Sequence, residues 1–270
     1  AALGRADYLE AARRTADFIW NGMRSPQGNL LRTWRDGEAR LNAYLEDHAF
    51  LLEALLDLYQ ASFDPEIFNR ARAVAETMID RFADPARGGF FTTSHDHEEL
   101  IARRKDVGDH PIPAGSSSAA LGLLRLYALT GEAGYRRKAE EVLRLLAPAT
   151  GRQPAAFGHL LQALALYHAP ATELAVIWPA DGSVDDAAAL VGEARRGYRP
   201  NLVLAGGAEG IEQLTTESIE TMATGAQGPS PSEYIVHHLG HMGHHHIHPA
   251  TIIAGNGAVD NADHHVGDHG

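Results

Sequence analysis

Asp47 and His48 are the first residues of this chain whose types and spacing could carry out chemistry. They stand side by side near the start of a predicted apolar helix. A helix N-terminus stabilises a nearby anion, and a carboxylate held there could act as a general acid or base. We predict both residues to be catalytic. The alternative is a structural acid, with Asp47 paired to a preceding arginine such as Arg32, Arg35 or Arg40.

A second group of polar residues lies in the loop around Asp109, Ser116 and Ser117. Pro111 and Pro113 stiffen this loop, and Ser116 is placed to cap the helix that follows. The loop could present Asp109 and helix-terminal amides to a ligand, or the same groups could only cap the helix and hold the loop. We predict Asp109 to be catalytic, and Ser116 and Ser117 to bind substrate.

Histidines could transfer protons near neutral pH. His48, His110 and His159 are the candidates outside the C-terminal region. His159 lies on an apolar helix, so we interpret it as a hydrogen-bonded core residue. Trp34 and Trp178 could stack on sugar rings, with packing in the core or on a strand as the alternative.

Helices of two alternating kinds must position these residues. The first kind is amphipathic, with one polar side: residues 6–20, 65–82 and 134–147. The second kind is apolar almost all round, which is typical of buried helices: residues 43–60, 117–129 and 155–168. On the first of these apolar helices the polar residues form one narrow stripe, which includes Glu53.

The alternation of outer and inner helices predicts a mainly α fold of αα-hairpins, with three hairpins in residues 1–170. A weak repeat supports this, because Gly28-Asn29-Leu30-Leu31 and Gly88-Gly89-Phe90-Phe91 each follow an outer helix. The connections 22–42 and 84–115 are long, and such loops line the cavity of a closed toroid. We therefore favour a toroid over an open solenoid.

The remainder of the chain differs in composition. Residues 171–222 are predicted to form a small α/β extension, a βαβ unit with strands at 173–178 and 202–205 and a helix at 185–197. Residues 223–270 are rich in Gly and His and are predicted to be a disordered tail. The histidines of this tail could bind metal ions adventitiously, but their spacing defines no closed site. We predict no metal site and no cofactor.

Composition narrows the classes of function. The chain has no cysteine, which excludes disulfides, thiolate nucleophiles and Cys-zinc sites and fits a reducing compartment. The net charge is −12, and no Lys or Arg follows Arg199, so nucleic acid is not an expected partner. No stretch of about 20 apolar residues predicts a membrane span. We expect a cytoplasmic protein.

Several motifs resemble those of one family, in the same order along the chain. They are Tyr44-Leu45-Glu46-Asp47-His48-Ala49-Phe50, Arg87-Gly88-Gly89-Phe90-Phe91, Arg103-Arg104-Lys105 with Asp109-His110-Pro111-Ile112-Pro113-Ala114-Gly115-Ser116-Ser117, and Tyr198-Arg199-Pro200-Asn201. The family comprises the thioredoxin-domain-containing proteins related to spermatogenesis-associated protein 20. The resemblance implies an (α/α)6 toroid similar to N-acylglucosamine 2-epimerases and six-hairpin glycosidases. The toroid would be about half present here, since six helices are predicted and twelve are needed.

This chain departs from the family pattern at two candidate site residues, where His48 replaces a Tyr and Ser116 replaces an Asn. The family's thioredoxin-like domain is absent from the sequence. The resemblance implies a carbohydrate-active-type toroid fragment that binds a sugar-like ligand, with Arg35 and Arg103 among the substrate-binding residues. The reaction on this ligand would be an isomerisation or a hydrolysis that proceeds by acid–base catalysis. The alternative is a non-catalytic scaffold or interaction domain, so whether the chain is an enzyme stays open. We also expect self-association through exposed inner helices.

Overall fold

The structure is a computed structural model that describes residues 4–97, 102–169, 172–208, 235–238 and 251–256. In chain order its helices and strands are α1 (Ala6–Gly22), β1 (Leu31–Arg35), β2 (Glu38–Asn42), α2 (Leu45–Ser62), α3 (Pro65–Phe82), α4 (Gly115–Thr130), α5 (Ala133–Arg152), α6 (Gly158–His168), β3 (Thr172–Trp178), α7 (Ala188–Ala194), β4 (Leu202–Ala208), β5 (Ile235–His238) and β6 (Thr251–Asn256).

The first six helices form two layers. The inner helices α2, α4 and α6 lie side by side, α3 packs on α2, and α5 packs on α4. Leu52, Leu56 and Leu123 of the inner layer are fully buried, together with Phe68 and Met78 of α3. The amphipathic helices are the outer ones, as their single apolar faces require. The structure confirms the predicted mainly α fold of hairpins with inner and outer helices, the layered arrangement of an α/α toroid.

Tight turns make the helices into hairpins. Phe63, with a φ of 53°, ends α2 in the left-handed conformation, and Asp64 begins α3 by accepting a hydrogen bond from the amide of Glu66 at 3.0 Å. Pro65 occupies the first turn of α3, where its missing N–H costs nothing. Gly131, with a φ of 71°, ends α4 in the same way. The inner helices α2 and α4 are thus each reversed directly into an outer partner, α3 and α5.

Two glycines of α4 allow it to lie close to α2. A Cβ on Gly115 would come within 3.0 Å of the backbone nitrogen of Glu46, and a Cβ on Gly122 would come within 2.8 Å of Leu52 Cδ2. Real Cβ atoms essentially never come as close as the second distance, and the first is tighter than nine in ten real Cβ contacts. The start of α4 is therefore fixed against the start of α2, where the candidate site residues lie.

The connection between α1 and α2 contains a β-hairpin that the sequence analysis did not predict. Strands β1 and β2 pair antiparallel around Asp36 and Gly37, whose φ angles are 53° and 83°. Positive φ at both central residues matches the twist of paired strands, and Asp-Gly is a favoured sequence for such turns. The hairpin bears on the candidate site because its first strand, β1, carries Arg32 and Arg35.

The predicted βαβ unit is present after α6. Strands β3 and β4 pair in parallel and are connected through α7. On its other side β3 pairs antiparallel with β6, which pairs with β5, so the sheet order is β4-β3-β6-β5. Within 223–270, predicted to be a disordered tail, strand β6 pairs along the free edge of β3, and β5 pairs with β6. The other residues of that range lie outside the described residues.

The α/β unit packs directly on the C-terminal end of α2. The Phe63 ring lies against Gly206, where a Cβ would come within 2.8 Å of it, and Gln60 Oε1 accepts a hydrogen bond from the amide of Leu204 at 2.8 Å. Arg195 donates to the carbonyl oxygen of Gln60. Burial in this region raises the pKa of Tyr59 to about 12. No helix within the described ranges is long and apolar enough to cross a membrane.

Candidate functional site

Asp47 lies in the first turn of α2 and joins that turn to β1. Its Oδ2 atom accepts a hydrogen bond from the amide of Tyr44 at 2.8 Å, which satisfies a donor that the helix itself leaves free. The same oxygen accepts from Arg32 Nη1 at 2.9 Å, while Arg32 Nη2 reaches Glu46 Oε1 at 2.8 Å. The Asp47 carboxylate is therefore paired with a preceding arginine, as the structural alternative to a catalytic role predicted. We call Arg32, Tyr44, Glu46 and Asp47 the α2-start cluster.

Aromatic rings extend this cluster. The Arg32 guanidinium lies over the Tyr44 ring at 4.7 Å from its centre, and the Tyr44 ring stacks on His97 at 5.4 Å. Arg35 does not join them. It lies at the tip of the β1–β2 hairpin, highly exposed, with its Nε 3.3 Å from Asp36 Oδ2. The arginine that pairs with Asp47 is therefore Arg32, one of the three considered, and Arg35, predicted to bind substrate, lies apart from it.

His48 faces away from the α2-start cluster, toward α1 and α3. It is only 4% exposed, its Nδ1 lies 3.0 Å from the carbonyl oxygen of Tyr44, and its ring packs 4.9 Å from that of Phe82. A carbonyl can only accept, so Nδ1 donates. Burial lowers the pKa of His48, which keeps the ring neutral. Asp47 and His48 thus lie in different surroundings although they are adjacent in sequence.

Two small cavities adjoin His48, with volumes of about 20 and about 10 Å³. Leu30 and Thr77 line both of them. A cavity needs about 10–15 Å³ to hold one water molecule. The spaces beside His48 are therefore of water size and cannot accommodate a sugar ring.

Asp109 connects the starts of two inner helices. Its Oδ1 accepts from the amide of Ala114 at 2.9 Å, and its Oδ2 accepts from the amides of His159 at 2.8 Å and Leu160 at 3.4 Å. Partial burial raises the pKa of Asp109, but these amides and the Ser117 hydroxyl together outweigh burial and hold the pKa below its usual range. Asp109 is thus held as an anion by the N-terminal turn of α6 and by the residue that precedes α4.

The serines lie inside the first turn of α4. The N-cap is Ala114, so Ser116 stands two residues too late to cap the helix as predicted. Ser116 is 4% exposed and Ser117 is fully buried. Gly115 explains the shift, because it begins the helix in contact with α2. Both serines are near Asp109 along the chain, and Ser117 helps to stabilise its carboxylate.

Arg103 holds the loop between α3 and α4 in place. Its Nε and Nη2 donate to the carbonyl oxygen of Thr93 at 3.1 and 2.5 Å, and Nη2 also reaches the carbonyl oxygen of Arg81 at 3.2 Å. The guanidinium lies 4.1 Å from the centre of the Phe91 ring. These contacts join the loop to the C-terminal end of α3, where unpaired carbonyls are available.

The sequence analysis missed the pairing of Glu53 with His159. Glu53 belongs to α2 and His159 to α6, yet His159 Nε2 lies 2.9 Å from Glu53 Oε1. Each side chain is 17% exposed, so the pair is recessed but reachable by solvent. The hydrogen bond from Glu53 raises the pKa of His159, although burial partly opposes this. The signals in the sequence were the polar stripe that contains Glu53 and a histidine on an apolar helix.

A second ion pair follows the same face of the inner layer. Arg125 of α4 contacts Asp57, which is one helical turn beyond Glu53 on α2. The positive charge of Arg125 partly opposes the protonation of His159. The inner layer thus presents alternating acid and base side chains drawn from all three of its helices.

Of the two tryptophans considered for sugar stacking, Trp178 is buried and Trp34 is partly exposed. Trp34 of β1 meets Phe18 of α1 edge-on, with ring centres 5.0 Å apart, and remains 43% exposed. Trp178 is buried against Phe63 in the core of the α/β unit. Among the residues that the structure describes, no group of three or more His, Asp or Glu side chains is arranged to hold a metal ion.

Sequence comparison relates the chain to longer proteins. No protein-family model matches it. It is similar to spermatogenesis-associated protein 20 of Mus musculus, with 30% identity over 214 residues, or 76% of this chain and 27% of that protein. The Homo sapiens protein of the same name is 29% identical over 214 residues, with the same coverage of each chain. The chain thus spans about a quarter of the length of these relatives.

Structural comparison finds a likeness to cellobiose 2-epimerase from Spirochaeta thermophila DSM 6192. The TM-score is 0.43 and the sequence identity is 22%, over 52% of this chain and 37% of the epimerase.

Proposed function

This chain is homologous to spermatogenesis-associated protein 20, and from that premise we propose that its inner helices line a cavity that binds a sugar or a similar polyol. Glu53 and His159 would be the acid–base pair of this cavity. The observation that carries the proposal is their 2.9 Å contact between two inner helices, recessed but still open to solvent. The cytoplasm remains the proposed location, on composition alone.

The geometry of the pair supports proton transfer. A carboxylate only accepts, so His159 donates its Nε2 hydrogen to Glu53, and the neutral ring then carries its lone pair on Nδ1. Nδ1 would remove the proton from the carbon beside the carbonyl of an open-chain sugar, and the protonated ring would return a proton to that carbon. The Glu53 carboxylate would stabilise the imidazolium formed between these steps. A raised histidine pKa suits this exchange near neutral pH.

Exchange of the sugar proton for deuterium tests the proposal. The chain is incubated in D2O with aldohexoses and N-acetylhexosamines, and incorporation at the carbon beside the carbonyl is followed by NMR. We expect His159→Gln to slow exchange by about 10²–10⁴-fold, the usual contribution of a general acid or base. His168→Gln is the matched control, because His168 ends the same helix away from Glu53, and it should leave exchange unchanged. Equal exchange with His159→Gln and with the unaltered chain would reject His159 as the base.

The second candidate function is a non-catalytic scaffold. It is favoured by the contacts of Asp47, Asp109 and Arg103, each of which is hydrogen-bonded to backbone groups, and in the case of Asp47 also to Arg32. A scaffold would show no ligand-dependent change in unfolding temperature with any sugar of the panel. A specific rise that Glu53→Gln abolishes would instead support the cavity.

A further inference from the structure

We infer that Asp109 is a positioning residue for His159: it fixes the first turn of α6 so that the His159 ring meets Glu53. This inference rests on the proposed role of Glu53 and His159 as an acid–base pair. It assigns to Asp109 a task other than direct catalysis.

The contacts of Asp109 determine where α6 begins. One oxygen accepts from the amides of His159 and Leu160 at 2.8 and 3.4 Å. The amide of Asp109 itself donates to the carbonyl oxygen of Ala156 at 2.8 Å, just before the helix. Asp109 thus contacts the chain on both sides of the start of α6. The amide of His159 is one of its direct partners, so the residue whose ring must be oriented is held at its own backbone.

The start of α6 is secured by the buried side chains of Phe157 and Leu160 but by no side-chain cap of its own. The helix has only 11 residues, its N-cap Phe157 makes no side-chain cap, and only Leu160 and Ala163 are buried along it. Short helices depend on packing and caps, because their own hydrogen bonds are marginal. The remote cap from Asp109 therefore adds a polar constraint on the first turn of α6 that packing alone does not supply.

The other oxygen of Asp109 ties α6 to the rest of the inner layer. It accepts from the amide of Ala114 at 2.9 Å, and Ala114 is the N-cap of α4. Helix α4 is fixed against α2 through Gly115 and Gly122. The Asp109 carboxylate thus connects α6 to α4, and α4 in turn lies directly against α2. This arrangement allows Glu53 of α2 and His159 of α6 to meet across α4.

Charges from every neighbouring element act on the His159 ring. Glu53 of α2 contributes most and raises its pKa, Asp109 adds to this increase, and Arg125 of α4 opposes it. Asp57 partly compensates Arg125, with which it is paired. The loss of Asp109 would therefore change His159 in two ways, by removing a negative charge and by loosening the contact with Glu53.

The test measures the coupling between His159 and Glu53 by NMR titration of the His159 imidazole in the whole chain. In the unaltered chain, Glu53→Gln should lower the titration midpoint. With Asp109→Asn, we expect a lower midpoint and a clearly smaller effect of Glu53→Gln. Asp109→Glu is the second variant, in case the first does not fold. It keeps the charge but displaces the oxygens, and it should also weaken the effect of Glu53→Gln.

Asp84→Asn is the matched control. Asp84 also holds a loop by accepting from two backbone amides, those of Ala86 and Arg87 at 2.9 and 3.1 Å, but it pairs with Lys105 rather than with α6. The Asp84→Asn variant should lower the free energy of unfolding without changing the midpoint of the His159 titration. An undiminished effect of Glu53→Gln in either folded Asp109 variant would overturn the inference. This titration measures proton binding by His159 and needs no sugar. If no proton–deuterium exchange on a sugar were found, the proposed function would be rejected, but the result of the titration would still stand.

Discussion

His48 and His159 both lie on inner helices, and their surroundings move their pKa values in opposite directions. Burial between α1, α2 and α3 lowers the pKa of His48, whereas the hydrogen bond from Glu53 raises that of His159. A histidine buried as the neutral form favours folding at high pH. A histidine that gains an anionic partner favours folding at low pH.

These directions predict how stability depends on pH. The contribution of neutral His48 is fully present above its ordinary pKa of 6.5 and is lost as the pH falls below that value. The contribution of His159 is fully present below 6.5 and is lost as the pH rises through its raised pKa. In urea unfolding from pH 5 to 9, the free energy of unfolding of the His48→Phe variant should therefore fall less at acidic pH than that of the unaltered chain. His159→Gln should cost about 1–2 kcal/mol near pH 6 and less above pH 8. Parallel curves for both variants would contradict this assignment.

Only part of the candidate site was predictable at the residue scale. Asp47 and Asp109 could be found because helix starts carry free amides that attract carboxylates, and this physical rule operates within a few residues. The pairing of Glu53 with His159 joins positions 106 residues apart. Its prediction needs the rotation of two helices about their axes, which depends on the packing of a third. Side-chain periodicity indicates which face is polar but not which polar faces meet.

At the scale of elements, the contact of α4 with α2 depends on the absence of side chains at Gly115 and Gly122. Alanine is favoured over glycine inside a helix by about 1 kcal/mol. Here the added Cβ would meet the Glu46 backbone at 3.0 Å or the buried Leu52 side chain at 2.8 Å. Overpacking of this kind costs about 1–3 kcal/mol. We expect both Gly→Ala variants to lower the free energy of unfolding.

Gly151→Ala provides the control for these two variants. Gly151 lies in the last turn of α5, and a Cβ there would meet nothing within 4 Å. This variant should be neutral or slightly stabilising in the same urea titration. Equal effects at all three positions would show that helix propensity, rather than the approach of α4 to α2, determines the result.

The helices were predictable because their burial repeats with the helical period over several turns, and α3 was predicted with its observed bounds of 65–82. The β1–β2 hairpin was not, because its residues alternate weakly and most of them remain exposed. Its signal was the Asp36-Gly37 pair, which only a local turn rule could recognise. Strand β6 pairs with the edge of β3, a neighbour distant in sequence, and β5 pairs with β6.

At the scale of the whole molecule, exposed apolar side chains lie at both ends of the row of inner helices. Phe18, Trp34 and Leu41 are exposed by 43%, 43% and 68% near α1 and the hairpin. Leu161 of α6 is 36% exposed at the other end. Contacts between two different surfaces need not close into a ring. We therefore expect association that increases with concentration rather than a single dimer.

Leu41 offers the sharpest test of this association. It has a φ of 64°, which disfavours leucine but is tolerated by asparagine. Leu41→Asn should therefore reduce self-association in sedimentation velocity while the unfolding temperature stays equal or rises. Tyr198→Asn is the control, since Tyr198 is 92% exposed on the α/β unit, away from both ends of the row. A chain that sediments as a monomer up to high concentration would contradict the expectation. Unchanged association in Leu41→Asn would place the contact elsewhere on the surface, because this substitution removes the most exposed of the four side chains.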